Sequence, residues 1–407
     1  MNAPARSPVA LIVLICVAEI FSMTGFATYT TLIPVLTKAW GMSNSEAGLV
    51  SGVYFIGYMT AVPVLASLTD RMDSRRVYAF SCLVASAGAV SFALFAHGMA
   101  SASACQFMIG FGLAGTYMPG LKALTDHLEG TAQSRGTAFY VAFFGGGSAL
   151  SILVSGALAA HATWQAAFLF AAAGPLIAAP LVLWGMPHKA PLPRVQAALL
   201  DFRPVLRDRR TMLYVIGYSV HNYELFGQRS WMVAFLVFCA SLQADGAAQL
   251  VAAATLAAMI NVMGPVGSIT GNELALRYGR TRVIFIAMAL SGLFACGLGL
   301  LAGLPLWVVF AVMCVHYFLM LSDSAALTSG MVAATPPQLR GSAMAVYSFV
   351  GFGAAFLGPV VFGVVLDLAG GRGDRMAWVL AFVSIGIFGV LSPVARFLYQ
   401  RDGRRAA

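Results

Sequence analysis

Long apolar runs, separated by short clusters of charge, glycine and proline, set the pattern of this chain. Runs near 9–35, 46–66, 77–96, 101–121, 136–158 and 165–186 are each long enough for a helix to cross a bilayer, which takes about 20 residues. A polar, basic stretch follows at 187–211, where Pro187, Pro191, Pro193 and Pro204 lie among Lys189, Arg194, Arg203, Arg207, Arg209 and Arg210. It reads as a linker, with room for a short surface helix at Val195–Asp201. Six further runs come near 212–240, 247–271, 283–302, 305–327, 341–366 and 376–398. The pattern predicts an all-α membrane protein of 12 transmembrane helices, in two pseudo-symmetric six-helix bundles at 1–186 and 212–407. A β-barrel would show short alternating segments instead of continuous runs.

Composition supports this reading: of 407 residues, 60% are hydrophobic and only 10% charged, against roughly 25% charged in a soluble domain. The net charge of +9 would suit nucleic acid if it were clustered, but lysines and arginines fall in alternate loops. Placing both termini in the cytoplasm puts 20 of the 24 on one side, leaving Lys38, Arg372 and Arg375 opposite and Arg229 inside the membrane. The expected setting is the inner membrane, and the first apolar run is expected to be a retained helix. The six cysteines, Cys16, Cys82, Cys105, Cys239, Cys296 and Cys314, lie scattered in apolar runs and read as small core residues.

The two halves repeat. The segment Ala18–Thr24 aligns with Tyr223–Arg229 at an offset of 205, and Ser134–Ala138 aligns with Leu339–Ala343 at the same offset. With one residue more, Arg71–Val77 aligns with Arg277–Val283. Three matches in order at nearly one offset point to a duplicated plan, as in transporters built from repeats about a midplane site.

The loop Ser67-Leu68-Thr69-Asp70-Arg71-Met72-Asp73-Ser74-Arg75-Arg76 resembles the signature loop of the major facilitator superfamily. With the 12 runs, the basic linker and the repeat, the resemblance covers essentially the whole chain. It implies two bundles that rock about a central cavity lined by helices 1, 4, 7 and 10. It also implies a conformational latch at Asp70, with Arg71 and Arg75 as its ion-pair partners; a solvated loop that only sets topology is the plainer alternative. Ala66 and Ser67 stand near the usual leading glycine, and Asp73 replaces the inner one. Helix 5 reads Gly145-Gly146-Gly147-Ser148-Ala149-Leu150, without the Gly-Pro motif of drug antiporters. Gln106 stands where many members carry an arginine in helix 4.

A few strongly polar side chains remain inside the apolar runs: Glu19 in helix 1, His221, Glu224 and Arg229 in helix 7, and His316 and Asp323 in helix 10. Burying a charge at a bilayer centre costs about 2.5–3.5 kcal/mol on insertion scales, so such residues mark substrate or ion pathways by default. On an ideal helix His221, Glu224 and Gln228 share a stripe about 60° wide, while Arg229 points roughly 140° from Glu224. Gly227 between them invites local unwinding. His316 and Asp323, seven apart, face the same way.

Glu19 and Glu224 occupy equivalent repeat positions and are candidates for proton coupling, with His221, His316 and Asp323 as relay or gate residues. The alternatives are a local hydrogen bond from Ser22 to Glu19, satisfied core histidines, and a helix-end role for Asp323. Arg229 offers a planar fork to an anionic substrate group, or a permanent ion pair to Glu19 or Glu224. Asn222, Gln228, Trp231 and Asn261, with Tyr54, Tyr58 and Tyr117, are candidate substrate-binding residues that structural hydrogen bonds would also explain.

No nucleophile triad, phosphate loop or metal cluster stands out, so no enzyme activity, cofactor or metal is expected. The expectation is a monomeric secondary transporter working by alternating access, with a small polar or anionic organic solute and protons as partners. Proton-coupled efflux of amphipathic or cationic compounds is the alternative, and a non-transporting membrane sensor a third reading.

Overall fold

A computed structural model describes residues 7–69, 71–188, 202–243, 249–336 and 339–405. The loop residue Asp70 and the linker segment Val195–Asp201 lie outside the described residues. The helices are α1 (Pro8–Ser22), α2 (Thr28–Trp40), α3 (Asn44–Leu68), α4 (Ser74–Phe95), α5 (Met99–Thr125), α6 (Gly130–His161), α7 (Trp164–Gly185) and α8 (Arg203–Arg207). They continue as α9 (Arg209–Ser241), α10 (Gln249–Tyr278), α11 (Arg280–Leu298), α12 (Leu306–Leu321), α13 (Ser324–Ala334), α14 (Arg340–Leu368) and α15 (Arg375–Arg405). Among the described residues ten segments are long and apolar enough to cross a membrane, and α5 and α9 have the length but a more polar composition. Together these are the twelve predicted spans. Two of them are broken, the first into α1 and α2 and the tenth into α12 and α13.

The described residues fall into two compact units, one drawn from 1–42, 53–197 and 250–258, the other from 43–52, 198–249 and 259–407. In the first, Ser7 caps α1 and Pro8 opens it, a position where a missing N–H loses nothing. The chain then tightens into a 3-10 turn at Met23–Gly25 before α2. Backbone groups freed by such a break need partners in an apolar medium, and neighbouring hydroxyls supply them. Ser151 Oγ donates to Thr24 O at 2.7 Å and accepts from Ala27 N at 3.1 Å, while Thr24 Oγ1 lies 2.9 Å from Phe21 O and 3.1 Å from Ala171 O. Asp73 caps α4 by accepting from Arg75 N.

In the second unit α9 runs unbroken through Gly227, so the unwinding expected there does not occur. Gly227 is instead a contact point: Gly358 of α14 approaches the backbone of Tyr223 and Gly227 so closely that a side chain on it would meet Tyr223 O. The missing Cβ atoms serve helix packing. Residues 44–52 pack on α14 in the same way, with Gly52 against Phe356 O and Gly363 against Asn44 O. Asp367 caps the start of α3, accepting from Asn44 N, Asn44 Nδ2, Ser45 N and Ser45 Oγ at 2.6–3.0 Å. Trp231 stacks on Phe362 at 5.6 Å and donates to Pro359 O at 3.1 Å in an aromatic core with Phe235, Trp378 and Phe382. The Trp231 ring is fully buried and its N–H is bonded.

All six cysteines are free thiols, four of them buried, as small core residues would be.

Candidate transport site

The polar residues of α9 are divided among several neighbours. Glu224 faces α11, α12 and α15. Ser291 Oγ donates to its Oε1 at 2.7 Å, and His316 Nε2 lies 2.9 Å from the same oxygen. Gly389 of α15 leaves room beside Oε2, where a Cβ would come within 3.2 Å. One turn before, His221 Nδ1 lies 2.7 Å from Asp323 Oδ1, an ion-pair distance whose line falls outside good hydrogen-bond geometry. These four side chains are at most 3% exposed.

Residue 221 pairs with 323 and 224 with 316, numbers running in opposite senses as antiparallel neighbours require. The expected stripe of His316 and Asp323 thus becomes a two-rung ladder with α9, each rung one imidazole and one carboxylate in reversed order. Asp323 reaches its rung because predicted helix 10 breaks at Ser322–Asp323, where Ser322 Oγ donates back to Phe318 O at 2.7 Å. Glu224 is therefore turned toward α11, α12 and α15 of its own unit.

Arg229 points elsewhere, as helical geometry predicts. Its Nη2 donates to Tyr317 OH at 2.6 Å and to Asn261 Oδ1 at 2.9 Å, and Tyr317 OH donates to Asn261 Oδ1 at 2.8 Å. The guanidinium carbon lies 5.9 Å from the ring centroids of both Phe226 and Tyr317, within cation–π range. Glu224 Oε1 is held by Ser291 and His316. Gln228 is fully buried, and neither of its amide atoms has a hydrogen-bond partner among the described residues. The same holds for His316 Nδ1 and Asn222 Nδ2. Native proteins rarely leave such atoms unpaired, and each instance asks for an explanation.

In the first unit Glu19 is fully buried and answers to hydroxyls. Tyr140 OH donates to Oε2 at 2.6 Å, Ser22 Oγ lies 3.4 Å from the same atom, and Oε1 has no hydrogen-bond partner among the described residues. Ser22 is the local donor anticipated from the sequence. Tyr117 stacks on Tyr140 at 5.6 Å, and Tyr54 packs edge-on to Phe26 at 5.9 Å. Tyr54 and Tyr58 are both buried.

At the signature loop, Arg75 Nε donates to Asp73 Oδ2 at 2.8 Å and its Nη1 to Met186 O at 2.6 Å. His188 Nδ1 joins the same carboxylate at 2.6 Å, and Arg71 is exposed. Partial burial works against the Asp73 charge, but hydrogen bonds from Arg75 and His188 outweigh it and hold the carboxyl below the usual aspartate range. Asp73, which replaces a glycine of the signature loop, has become the local cap and counter-ion.

Sequence reasoning missed Tyr140, Ser291, Tyr317 and Asp367. Serines and tyrosines are common in apolar runs, and only contacts between helices single these out.

A sequence profile described as the Major Facilitator Superfamily matches residues 15–316. The chain belongs to this superfamily. A gallate transporter from Pseudomonas putida is 25% identical over 399 residues, spanning 90% of this chain and 88% of that one. The niacin transporter NiaP from Acinetobacter baylyi is 26% identical over 138 residues, 34% of this chain and 31% of its own. Among solved structures, a bacterial homologue of the human lysosomal transporter Spinster, inward-facing and occupied, superposes with a TM-score of 0.76 at 16% identity, covering 98% of both chains. The nucleoside transporter NupG gives 0.73 at 15% identity, covering 96% of this chain and 98% of that one. At such identities the structural likeness shows the fold, the twelve-helix superfamily architecture. The protein is a multi-pass membrane transporter and not an enzyme.

Proposed function

We propose that this transporter takes up a small organic carboxylate by proton-coupled alternating access, as a monomer in the inner membrane with both termini in the cytoplasm. The observation that carries the substrate class is Arg229, a guanidinium inside a membrane span, set beside two aromatic rings and steadied by an amide and a phenol. A guanidinium is a planar fork of donors that stays charged, which suits an anionic head group. Gallate and niacin, the solutes named for two relatives, are both aromatic carboxylates. The flanking rings suit an aromatic body beside the anion, and Gln228 and Asn222 supply buried polar atoms for ring substituents.

The two imidazole–carboxylate rungs support the coupling role. An imidazole exchanges protons near neutral pH, and a paired carboxylate gives the proton two positions in a dry interior. Gain or loss of that proton changes the relative cost of the two transport states. The efflux alternative relied on Glu19 and Glu224 attracting a cation, and both carboxylates are engaged inside their own units.

Purified protein in vesicles tests the reading. Labelled gallate or nicotinate should accumulate under an inward proton gradient; Arg229→Ala should abolish this and Arg229→Lys only weaken it. Undiminished carboxylate uptake by Arg229→Ala would remove the anion assignment.

A further inference from the structure

We propose that Glu224 takes the transported proton on Oε2, in the space that Gly389 keeps beside it, and that Ser291 is the positioning residue that reserves this oxygen by bonding the other. The proposal rests on the coupling role of Glu224. Glycines build the site. Where α11 meets α15, a side chain on Gly386 would come within 2.6 Å of Gly292 O, and one on Gly389 within 2.7 Å of Met288 O, so the two backbones pack directly. This contact sets Ser291, the neighbour of Gly292, against one oxygen of Glu224, and the α15 backbone at Gly389 beside the other. Ser291 and Glu224 are each 2% exposed and His316 is fully buried, so bulk water does not compete for these atoms.

The donors divide the two oxygens. Oε1 receives the Ser291 hydroxyl at 2.7 Å and lies 2.9 Å from His316 Nε2. A neutral imidazole carries its one hydrogen on one of two nitrogens, and the partners of each decide which. Among the described residues Nδ1 meets no hydrogen-bond partner, whereas Nε2 faces the carboxylate. A hydrogen on Nδ1 would be a buried donor with no protein acceptor, so it belongs on Nε2, which donates to Oε1. With two donors on Oε1, a proton reaching the carboxylate adds to Oε2. That step makes one O–H bond and turns the carboxylate into a neutral acid whose carbonyl oxygen is Oε1; release reverses it.

The surroundings keep the two oxygens distinct. Titratable side chains near the carboxylate are His316 of α12, His221 one turn before on α9, Asp323 at the start of α13 and Cys296 of α11. From α15 the residue beside Oε2 is a glycine, with neither a charge nor a hydroxyl to compete for the proton. Ser291 was absent from the residues singled out in the sequence.

The test uses the full-length protein in vesicles. Infrared difference spectra between acid and neutral pH read the carbonyl stretch of protonated carboxyls, and the band lost in Glu224→Gln belongs to Glu224. Ser291→Ala removes one of the two donors to the carbonyl oxygen, so that band should move to higher wavenumber, and Ser291→Thr, which restores a hydroxyl, should bring it back toward the parent. A second reading needs no serine variant. Nitrogen NMR of isotope-labelled histidine at neutral pH, with the His316 signals identified by their loss in His316→Gln, should show the hydrogen on Nε2 and none on Nδ1. A Glu224 band that stays in place in a folded Ser291→Ala, or a hydrogen found on Nδ1, overturns the assignment of Oε2 while lost accumulation in Glu224→Gln still upholds the coupling role. Full accumulation by Glu224→Gln, with no carboxyl band lost, overturns both.

Discussion

Glu19 and Glu224 stand at equivalent places in the two halves, 205 residues apart, yet they are held in different ways. Glu19 meets the phenol of Tyr140 and the hydroxyl of Ser22. Glu224 meets the imidazole of His316 and the hydroxyl of Ser291. A phenol offers one proton on one oxygen, whereas an imidazole has two nitrogens and can take up a proton at one while bonded at the other. The difference teaches that a duplicated position need not keep duplicated partners. Glu19 sits one turn before the break between α1 and α2 and is tied to α6, which suits an anchor; Glu224 sits in an unbroken helix beside a second imidazole–carboxylate rung, which suits a carrier of protons.

The comparison can be broken by truncation. Glu224→Ala leaves His316 and Ser291 without their acceptor in a dry interior and should destabilise the protein by about 3–5 kcal/mol, the usual result of breaking a buried pair, and abolish uptake. Glu19→Ala should cost less, about 1–3 kcal/mol, since hydroxyls left behind can turn to other acceptors. Denaturant unfolding in detergent measures both, and equal losses would erase the distinction. A smaller change sharpens it. Tyr140 OH has one proton and three acceptors in reach, Glu19 Oε2 at 2.6 Å, Tyr117 O at 3.0 Å and Thr116 O at 3.3 Å. Tyr140→Phe should therefore lower stability by about 1–2 kcal/mol and leave the accumulation ratio intact. Lost accumulation in that variant would bring Glu19 into the proton path.

Much of this fold was legible in the pattern of apolar runs, because a membrane span writes its length and polarity directly into sequence. Glu19, Glu224, His221, His316, Asp323 and Arg229 stood out for the same reason, and helical periodicity correctly turned Arg229 away from Glu224. Pairings were harder to read. The ladder of 221 with 323 and 224 with 316 depends on which faces of α9, α12 and α13 meet, and periodicity within one helix does not specify its neighbour. Breaks were misplaced for a related reason. Gly227 looked like a hinge, but a glycine that lets α14 approach looks the same in sequence. The actual breaks, at Met23–Gly25 and Ser322–Asp323, hold because Ser151 and neighbouring hydroxyls satisfy the exposed backbone in the first, and Ser322 bonds back to its own helix in the second. Asp73 passed as a lapse from the signature loop until its bonds to Arg75 and His188 made it a cap.

The central claim, that the proton is carried at Glu224 and His316, is tested most directly by Glu224→Gln in vesicles loaded with unlabelled gallate. Glutamine keeps the size and the oxygen that Ser291 and His316 approach, but it cannot gain or lose the proton. The account predicts that labelled gallate still exchanges across the membrane at a substantial fraction of the parent rate, while accumulation under an inward proton gradient falls to the level seen without a gradient. Full accumulation by Glu224→Gln would contradict it.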